Sequence, residues 1–296
     1  MSSPKQVNAP NAPSSLDIFS PNLFKGKVVF ATGGGSGIGK HVVETMMRHG
    51  VDAVIIGRKT DRLTQAANEL EAATGRKCIP ATADVRDPKS IQAAAKLAVD
   101  KLGRIDFVIC GAAGNFLAPL SHLSENAFKT VMEIDTLGTF NTFKATIPYV
   151  RQTHGAYIHF SATLHYQGSV YQAHVSAAKA GVDALSNVIA IEEGPYGVRS
   201  NVIAPGPIGG TPGMDRLSSL DDPSARKIRI PLGRMGEKAD IANAAVFLFS
   251  NGAAHVTGQI LVVDGGAQHT YSGMGVFPYP ESVLEFEKIK KLVPRL

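Results

Sequence analysis

One stretch constrains this chain more than any other: Gly26-Lys27-Val28-Val29-Phe30-Ala31-Thr32-Gly33-Gly34-Gly35-Ser36-Gly37-Ile38-Gly39. An apolar run enters a glycine cluster, and an amphipathic run carrying Val42, Val43, Met46 and Met47 leaves it. That order reads as strand, tight turn, helix. Glycines let the backbone turn sharply and approach a pyrophosphate, whose charge then rests on the free N–H groups of the helix start. A glycine cluster alone would fit a structural turn equally well. The strand before it and the helix after it supply the context that nucleotide binding needs.

The rest of the chain repeats the alternation. Apolar runs fall at Val51–Ile56, Lys77–Thr82, Asp106–Cys110, Ala156–Phe160, Val198–Ala204 and Gln259–Val263, with helical periodicity between them, as at Ser90–Leu102 and Asn126–Val150. Such alternation predicts an α/β fold, a Rossmann-type doubly wound parallel sheet with ligands beyond the carboxyl ends of its strands. The expected organisation is a mobile N-terminal arm (1–22), one nucleotide-binding domain (23–267) and a helical tail (268–296). The tail shows an apolar stripe from Glu281 to Leu292.

Composition excludes several classes. A chain of 296 residues with 44% hydrophobic residues supports one large folded core. No apolar run is long enough to span a membrane, so no membrane insertion is expected. Two cysteines, Cys78 and Cys110, lie in strand-like surroundings and read as buried free thiols; neither a disulfide framework nor a metal site is expected. The net charge of +5 comes without a basic run, so it suits phosphate-bearing small molecules and not nucleic acid.

Sites that prefer NAD carry an acid near the end of the second strand to hold the ribose 2′-hydroxyl. Here the strand ends Ile55-Ile56-Gly57-Arg58-Lys59, and no acid follows until Asp61. A guanidinium holds a 2′-phosphate through paired hydrogen bonds, so Arg58 predicts NADPH as the cofactor.

The spacing Thr-Gly-x-x-x-Gly-x-Gly at Thr32–Gly39 resembles the short-chain dehydrogenase/reductase family, and the resemblance runs from about Phe24 to Gly266. It implies cofactor contacts from Gly33, Gly35, Ser36, Gly37 and Ile38, from Asp84 and Val85 after the third strand, and from Pro205, Gly206 and Ile208 after the sixth. Asp84 would accept from the adenine amino group, or else cap a helix. The family's lysine falls on Lys179, in Ser176-Ala177-Ala178-Lys179-Ala180-Gly181, and Ser161 follows the fifth strand. Two departures stand out. The family's tyrosine, four residues before the lysine, is Val175, and its usual asparagine is matched by Asp135.

Valine donates no proton, so carbonyl reduction loses its general acid. Reduction of a conjugated double bond instead needs stabilisation of a transient oxyanion and a proton path to carbon. A branch of the family that reduces 2,4-dienoyl-CoA is similar in this respect, and in the segments Ala112–Phe116, Ala127–Met132, Ile134–Asn141, Ser161–Leu164 and Ala204–Ile208. The resemblance implies NADPH-dependent conversion of a fatty 2,4-dienoyl-CoA to trans-3-enoyl-CoA, in the β-oxidation of unsaturated fatty acids.

In that reading Lys179 serves the nicotinamide ribose and the reacting thioester. Asp135 orients Lys179 or a proton-supplying water, and Asp264 could join that water network or only tie down the last strand. Phe116, Ser124 and Asn126 line the acyl and pantetheine channel. Arg86 and Arg216 are candidates for CoA phosphate, with Arg216 on a polar, turn-rich flap at 212–222. Tyr166 and Tyr171 read as pocket or rim residues, and His174 as packed more than catalytic. The chain ends Pro294-Arg295-Leu296, which keeps the basic–Leu half of a peroxisomal address. A homo-oligomer located in the peroxisome, imported through a receptor for that tail, is expected. Two alternatives stay open: a reductase of 3-oxoacyl thioesters or other carbonyls, and an inactive NADPH-binding partner protein.

Overall fold

Strand β1 (Val28–Thr32) is buried at every position, as a strand covered on both faces should be. Its side chains alternate between two apolar layers. Val29 and Ala31 face one, built from α1 (Gly37–Arg48), α2 (Thr60–Thr74) and a late helix spanning Lys238–Phe249. Phe30 faces the other, built from α3 (Pro88–Leu102) and α5 (Gly138–Thr153). This computed structural model describes residues 9–211, 213 and 230–270.

Seven parallel strands lie in the order β3-β2-β1-β4-β5-β6-β7. The remaining strands are β2 (Asp52–Gly57), β3 (Cys78–Thr82), β4 (Phe107–Cys110), β5 (Ala156–Phe160), β6 (Arg199–Pro205) and β7 (Ile260–Val263). Each apolar run of the sequence falls on a strand, with ends moved by one residue at most. The order reverses between β1 and β4, so their carboxyl ends, Thr32 and Cys110, open the crevice where a ligand is expected.

The helical run expected at Asn126–Val150 is more interesting than a single helix. It comprises α4 (Glu125–Met132), a π-helical turn at Glu133–Leu137, and α5. Tertiary contacts hold the wide turn. Gly138 lies so close to Val85 that a Cβ there would sit 2.6 Å from its Cγ2. Thr136 donates to the Ala178 carbonyl, and Thr139 to the Asp135 carbonyl. Wide turns of this kind re-aim a side chain within a helix; here the side chain is that of Asp135.

The arm expected to be mobile is tied down from residue 9 onward. Ala9 donates to the Leu232 carbonyl, Arg234 to that of Pro10 and Asn243 to that of Pro13. Ser15 is buried against His49 Nε2, at 2.9 Å. The tail stripe at 281–292 and the terminal Pro294-Arg295-Leu296 lie outside the described residues. Both cysteines are buried free thiols, and burial pushes Cys78 up to about 12. Among the described residues no helix is long and apolar enough to cross a membrane, and no cluster of ligating side chains could hold a metal ion.

Candidate active site

The floor of the crevice is backbone. Gly33 has φ +70°, and a Cβ on it would sit 2.5 Å from the Gly111 carbonyl oxygen across the switch point. Gly39 packs on Gly33 in the same way, at 2.5 Å. Thr32 Oγ1 accepts from the Gly111 N–H, which fixes the two strand ends together. Helix α1 begins at Gly37, and the side chain of Ser36 before it makes no capping bond. The first N–H groups of α1 are therefore left for an anion, with the helix dipole behind them. The cradle fits the pyrophosphate of a dinucleotide on that ground. Ile38 packs against the core on this side.

Arg58, at the end of β2, is exposed, and no hydrogen bond or ion pair to a described residue engages its guanidinium. Asp84 and Arg86, assigned to different ligands by the sequence, pair with each other. Arg86 donates to both Asp84 oxygens, with its shortest bond 2.6 Å. Those hydrogen bonds hold the Asp84 carboxyl below its ordinary range. The helix cap foreseen as an alternative for Asp84 is supplied by Asp87, which accepts from the Lys89 N–H. Val85 is buried; its carbonyl accepts from Asn141.

Lys179 sits on α7 (Ala173–Glu193) with 6% of its surface exposed. Its Nζ donates to the Phe160 carbonyl at the end of β5, at 2.9 Å, and pairs with Asp135 Oδ2 at 2.9 Å. Asp135 Oδ1 accepts from the Gly114 N–H at 2.8 Å. The contact with Lys179 is ionic and poorly aligned, so Oδ2 keeps its capacity for a further donor. An ion pair so deeply buried requires both partners. Val175, one turn before Lys179, is sealed into an apolar cluster with Val131 and Ala178, against which Phe116, Met132 and Leu164 pack. The Tyr166 hydroxyl donates to Asp183 at 3.4 Å, and that of Tyr157 pairs with Thr146.

The third wall is the loop after β6. Gly206 approaches Asp264 so closely that a Cβ would lie 2.5 Å from the aspartate's Cβ. Ile208 is buried and bridged to Gly236. The Asp264 carboxylate accepts from the backbone N–H groups of Gly266 and Gln268 and has no bond to Lys179 or Asp135. These bonds tie the chain after β7, the structural role that the sequence also offered for this residue. Ser124 caps α4 by accepting from the Ala127 N–H, and Asn126 beside it is exposed. Arg216 lies outside the described residues.

Sequence reasoning missed two features. The imidazole of His165 meets Asp183 Oδ2 at 2.7 Å, joining α6 (Leu164–Gln167) to α7. On the loops after β4 and β5 and at the start of α7, several buried polar atoms have no partner among the described residues: Asn115 Oδ1, Ser161 Oγ, Gln172 Oε1 and both nitrogens of His174. Buried groups of this kind are costly unless water or ligand satisfies them. Only their position in the fold brings them together; no spacing in the sequence announces it.

Comparison with known proteins agrees with this geometry. The family described as enoyl-(acyl carrier protein) reductase matches residues 33–268. The chain is 49% identical over 252 residues to a Danio rerio protein named peroxisomal 2,4-dienoyl-CoA reductase [(3E)-enoyl-CoA-producing], covering 84% of each. A protein of the same name from Saccharomyces cerevisiae is 45% identical, with 90% of this chain and 92% of that protein covered. Among solved structures, a short-chain dehydrogenase from Bacillus anthracis superposes with a TM-score of 0.75 at 36% identity, covering 86% of this chain and 100% of the other. The glycine cradle, the strand order and these relatives together place the chain in the short-chain dehydrogenase/reductase family.

Proposed function

We propose that this protein is an NADPH-dependent reductase of 2,4-dienoyl-CoA that yields trans-3-enoyl-CoA. The observation that carries the reading is the retained Lys179–Asp135 pair beside a sealed Val175. The site keeps a buried ammonium and has no phenol where carbonyl reduction needs one. The relatives' names specify the same substrate class and the (3E) product.

NADPH, bound along the glycine cradle, supplies the hydride that reaches C5 of the conjugated thioester. Arg58 holds its 2′-phosphate, the first turn of α1 its pyrophosphate, and Lys179 its nicotinamide ribose. Ile208, Gly206 and Pro205 cover the nicotinamide face. Once C5 is reduced, negative charge gathers on the thioester oxygen, and the Lys179 ammonium lowers the energy of that charge in a water-poor site. Asp135 holds Lys179 in place and keeps an oxygen available for the water that carries the proton to the α-carbon. Phe116, Ser124 and Asn126 line the acyl and pantetheine path; Arg86 and Arg216 serve the CoA phosphates.

NADPH absorbance falling with trans-2,trans-4-hexadienoyl-CoA and not with a 3-oxoacyl-CoA is the expected result. The reverse pattern would select an ordinary carbonyl reductase. Arg58→Ala is expected to weaken NADPH binding by about 10- to 100-fold, the worth of one charged hydrogen bond, with NADH binding unchanged. A variant that still prefers NADPH would remove Arg58 from the account.

The protein is further proposed to act as a homo-oligomer in the peroxisome. Leu137 at the end of the π turn, Phe140 on α5, and Val188 and Ile191 on α7 expose apolar surface, in keeping with burial against another subunit. Import through Pro294-Arg295-Leu296 belongs to the same proposal.

A further inference from the structure

We propose that His174 relays the proton that ends on the substrate's α-carbon, acting with Asp135 in place of the missing phenol. The inference rests on the dienoyl-CoA reading and extends it by one residue.

His174 opens α7 and immediately precedes Val175. It is fully buried, and among the described residues neither ring nitrogen makes a hydrogen bond of good geometry, although the Phe116 backbone lies close enough to act on the ring. Its ring stacks on Phe116, with centroids 4.2 Å apart and planes inclined by 29°. Phe116 lies on the loop after β4, next to Asn115, whose buried Oδ1 is also without a partner. Gln172 Oε1 and Ser176 Oγ, flanking His174 in the chain, share that condition. Two segments that meet at the Phe116–His174 stack thus carry four side chains with a buried polar atom unpartnered among the described residues, two of the four more than nine-tenths buried. A packed structural histidine would spend at least one nitrogen on a neighbour, as His49, His159 and His165 do here.

The charged groups of this region are Asp135, from the π turn, and Lys179, from α7 itself. Segment 115–116 brings none. Burial lowers the His174 pKa, opposed by the Phe116 backbone and the charge of Asp135. The ring is then neutral near pH 7, with one nitrogen donating and the other accepting. An ionised carboxylate only accepts, so Asp135 can hold a water but has no proton of its own to give.

The bookkeeping of atoms closes. After hydride addition at C5, the C4=C5 electrons form the C3=C4 bond, the C2=C3 electrons form a C1=C2 bond, and the carbonyl π electrons move to the thioester oxygen. As that charge returns, a water between Asp135 and His174 gives its proton to C2. The hydroxide left behind takes the imidazole N–H proton, and the other ring nitrogen takes a proton from a second water. The net change is one proton drawn from solvent.

The test compares wild type, His174→Phe, His174→Gln and His174→Gly with hexadienoyl-CoA in H2O and D2O. His174→Phe keeps the stack on Phe116 and removes the relay; His174→Gln keeps polarity without a transferable ring proton. Both are expected to lose about 100-fold in kcat, within the usual range for general acid–base catalysis. Melting temperature and NADPH affinity, read by fluorescence, should stay at wild-type values. The solvent isotope effect should rise, because proton delivery becomes limiting, and added imidazole should restore turnover to His174→Gly. Wild-type turnover in both His174→Phe and His174→Gln would overturn the inference. So would a loss of turnover with an unchanged isotope effect and no rescue by imidazole. Failure of the wild-type protein itself to reduce the dienoyl-CoA would overturn the proposed function, and this inference with it.

Discussion

Lys179→Ala is expected to lower kcat with a 2,4-dienoyl-CoA by about 100- to 1000-fold, the range found when one group stabilising a developing oxyanion is removed. Lys179 is also half of a buried ion pair, so lost activity could merely report a damaged fold. Removing the ammonium leaves the Asp135 carboxylate, 1% exposed, with only the Gly114 N–H as partner among the described residues. That cost is about 3–5 kcal/mol for pairs of this kind. The double variant Lys179→Ala/Asp135→Ala separates the two effects, because it removes the stranded charge. It should regain much of the stability in urea unfolding and none of the activity. If the double variant recovered turnover together with stability, Lys179 would be a structural residue and the oxyanion role would fall.

The second large effect lies at the cradle. Gly33→Ala places a methyl group 2.5 Å from the Gly111 carbonyl oxygen, at a backbone φ of +70°. Both strand ends are pinned by Thr32, so neither backbone gives way cheaply. A loss of about 2–4 kcal/mol is expected, the sum of left-handed strain and a backbone clash. NADPH should then no longer raise the melting temperature. Gly75→Ala is the matched control: its φ is +67°, but nothing lies within 4 Å of the added methyl. It should cost about 1–2 kcal/mol and leave the NADPH-induced rise intact. Equal behaviour of the two variants would show that close approach at the switch point is irrelevant to cofactor binding.

Much of this architecture was readable in advance, for a definite reason. Strands buried on both faces write themselves as unbroken apolar runs, and Val28–Thr32 is one of them. The glycines of the cradle are explicit because only glycine tolerates those approaches. Lys179 and the absence at Val175 are local facts of one helix. What stayed hidden depends on distant contacts. The π turn that aims Asp135 is held by Val85, Ala178 and Gly181, none of which helical periodicity can register. The Asp84–Arg86 pair joins two charges that look independent in sequence. That the Asp264 oxygens accept from the Gly266 and Gln268 N–H groups is likewise invisible in the sequence. The anchoring of residues 9–20 also escaped, because Ser- and Pro-rich composition resembles that of a free arm while Ser15 in fact seals against His49.

The central claim is that electrons enter an extended conjugated system whose oxygen is never converted to an alcohol. The most direct measurement is isotopic analysis of the product by NMR, from hexadienoyl-CoA with deuterated NADPH in H2O and with ordinary NADPH in D2O. The account requires deuterium from the cofactor at C5, deuterium from solvent at C2, and a trans double bond left between C3 and C4. Cofactor deuterium at C3 with the C4=C5 bond intact, or a carbinol formed from a ketone substrate while the diene is ignored, would contradict it.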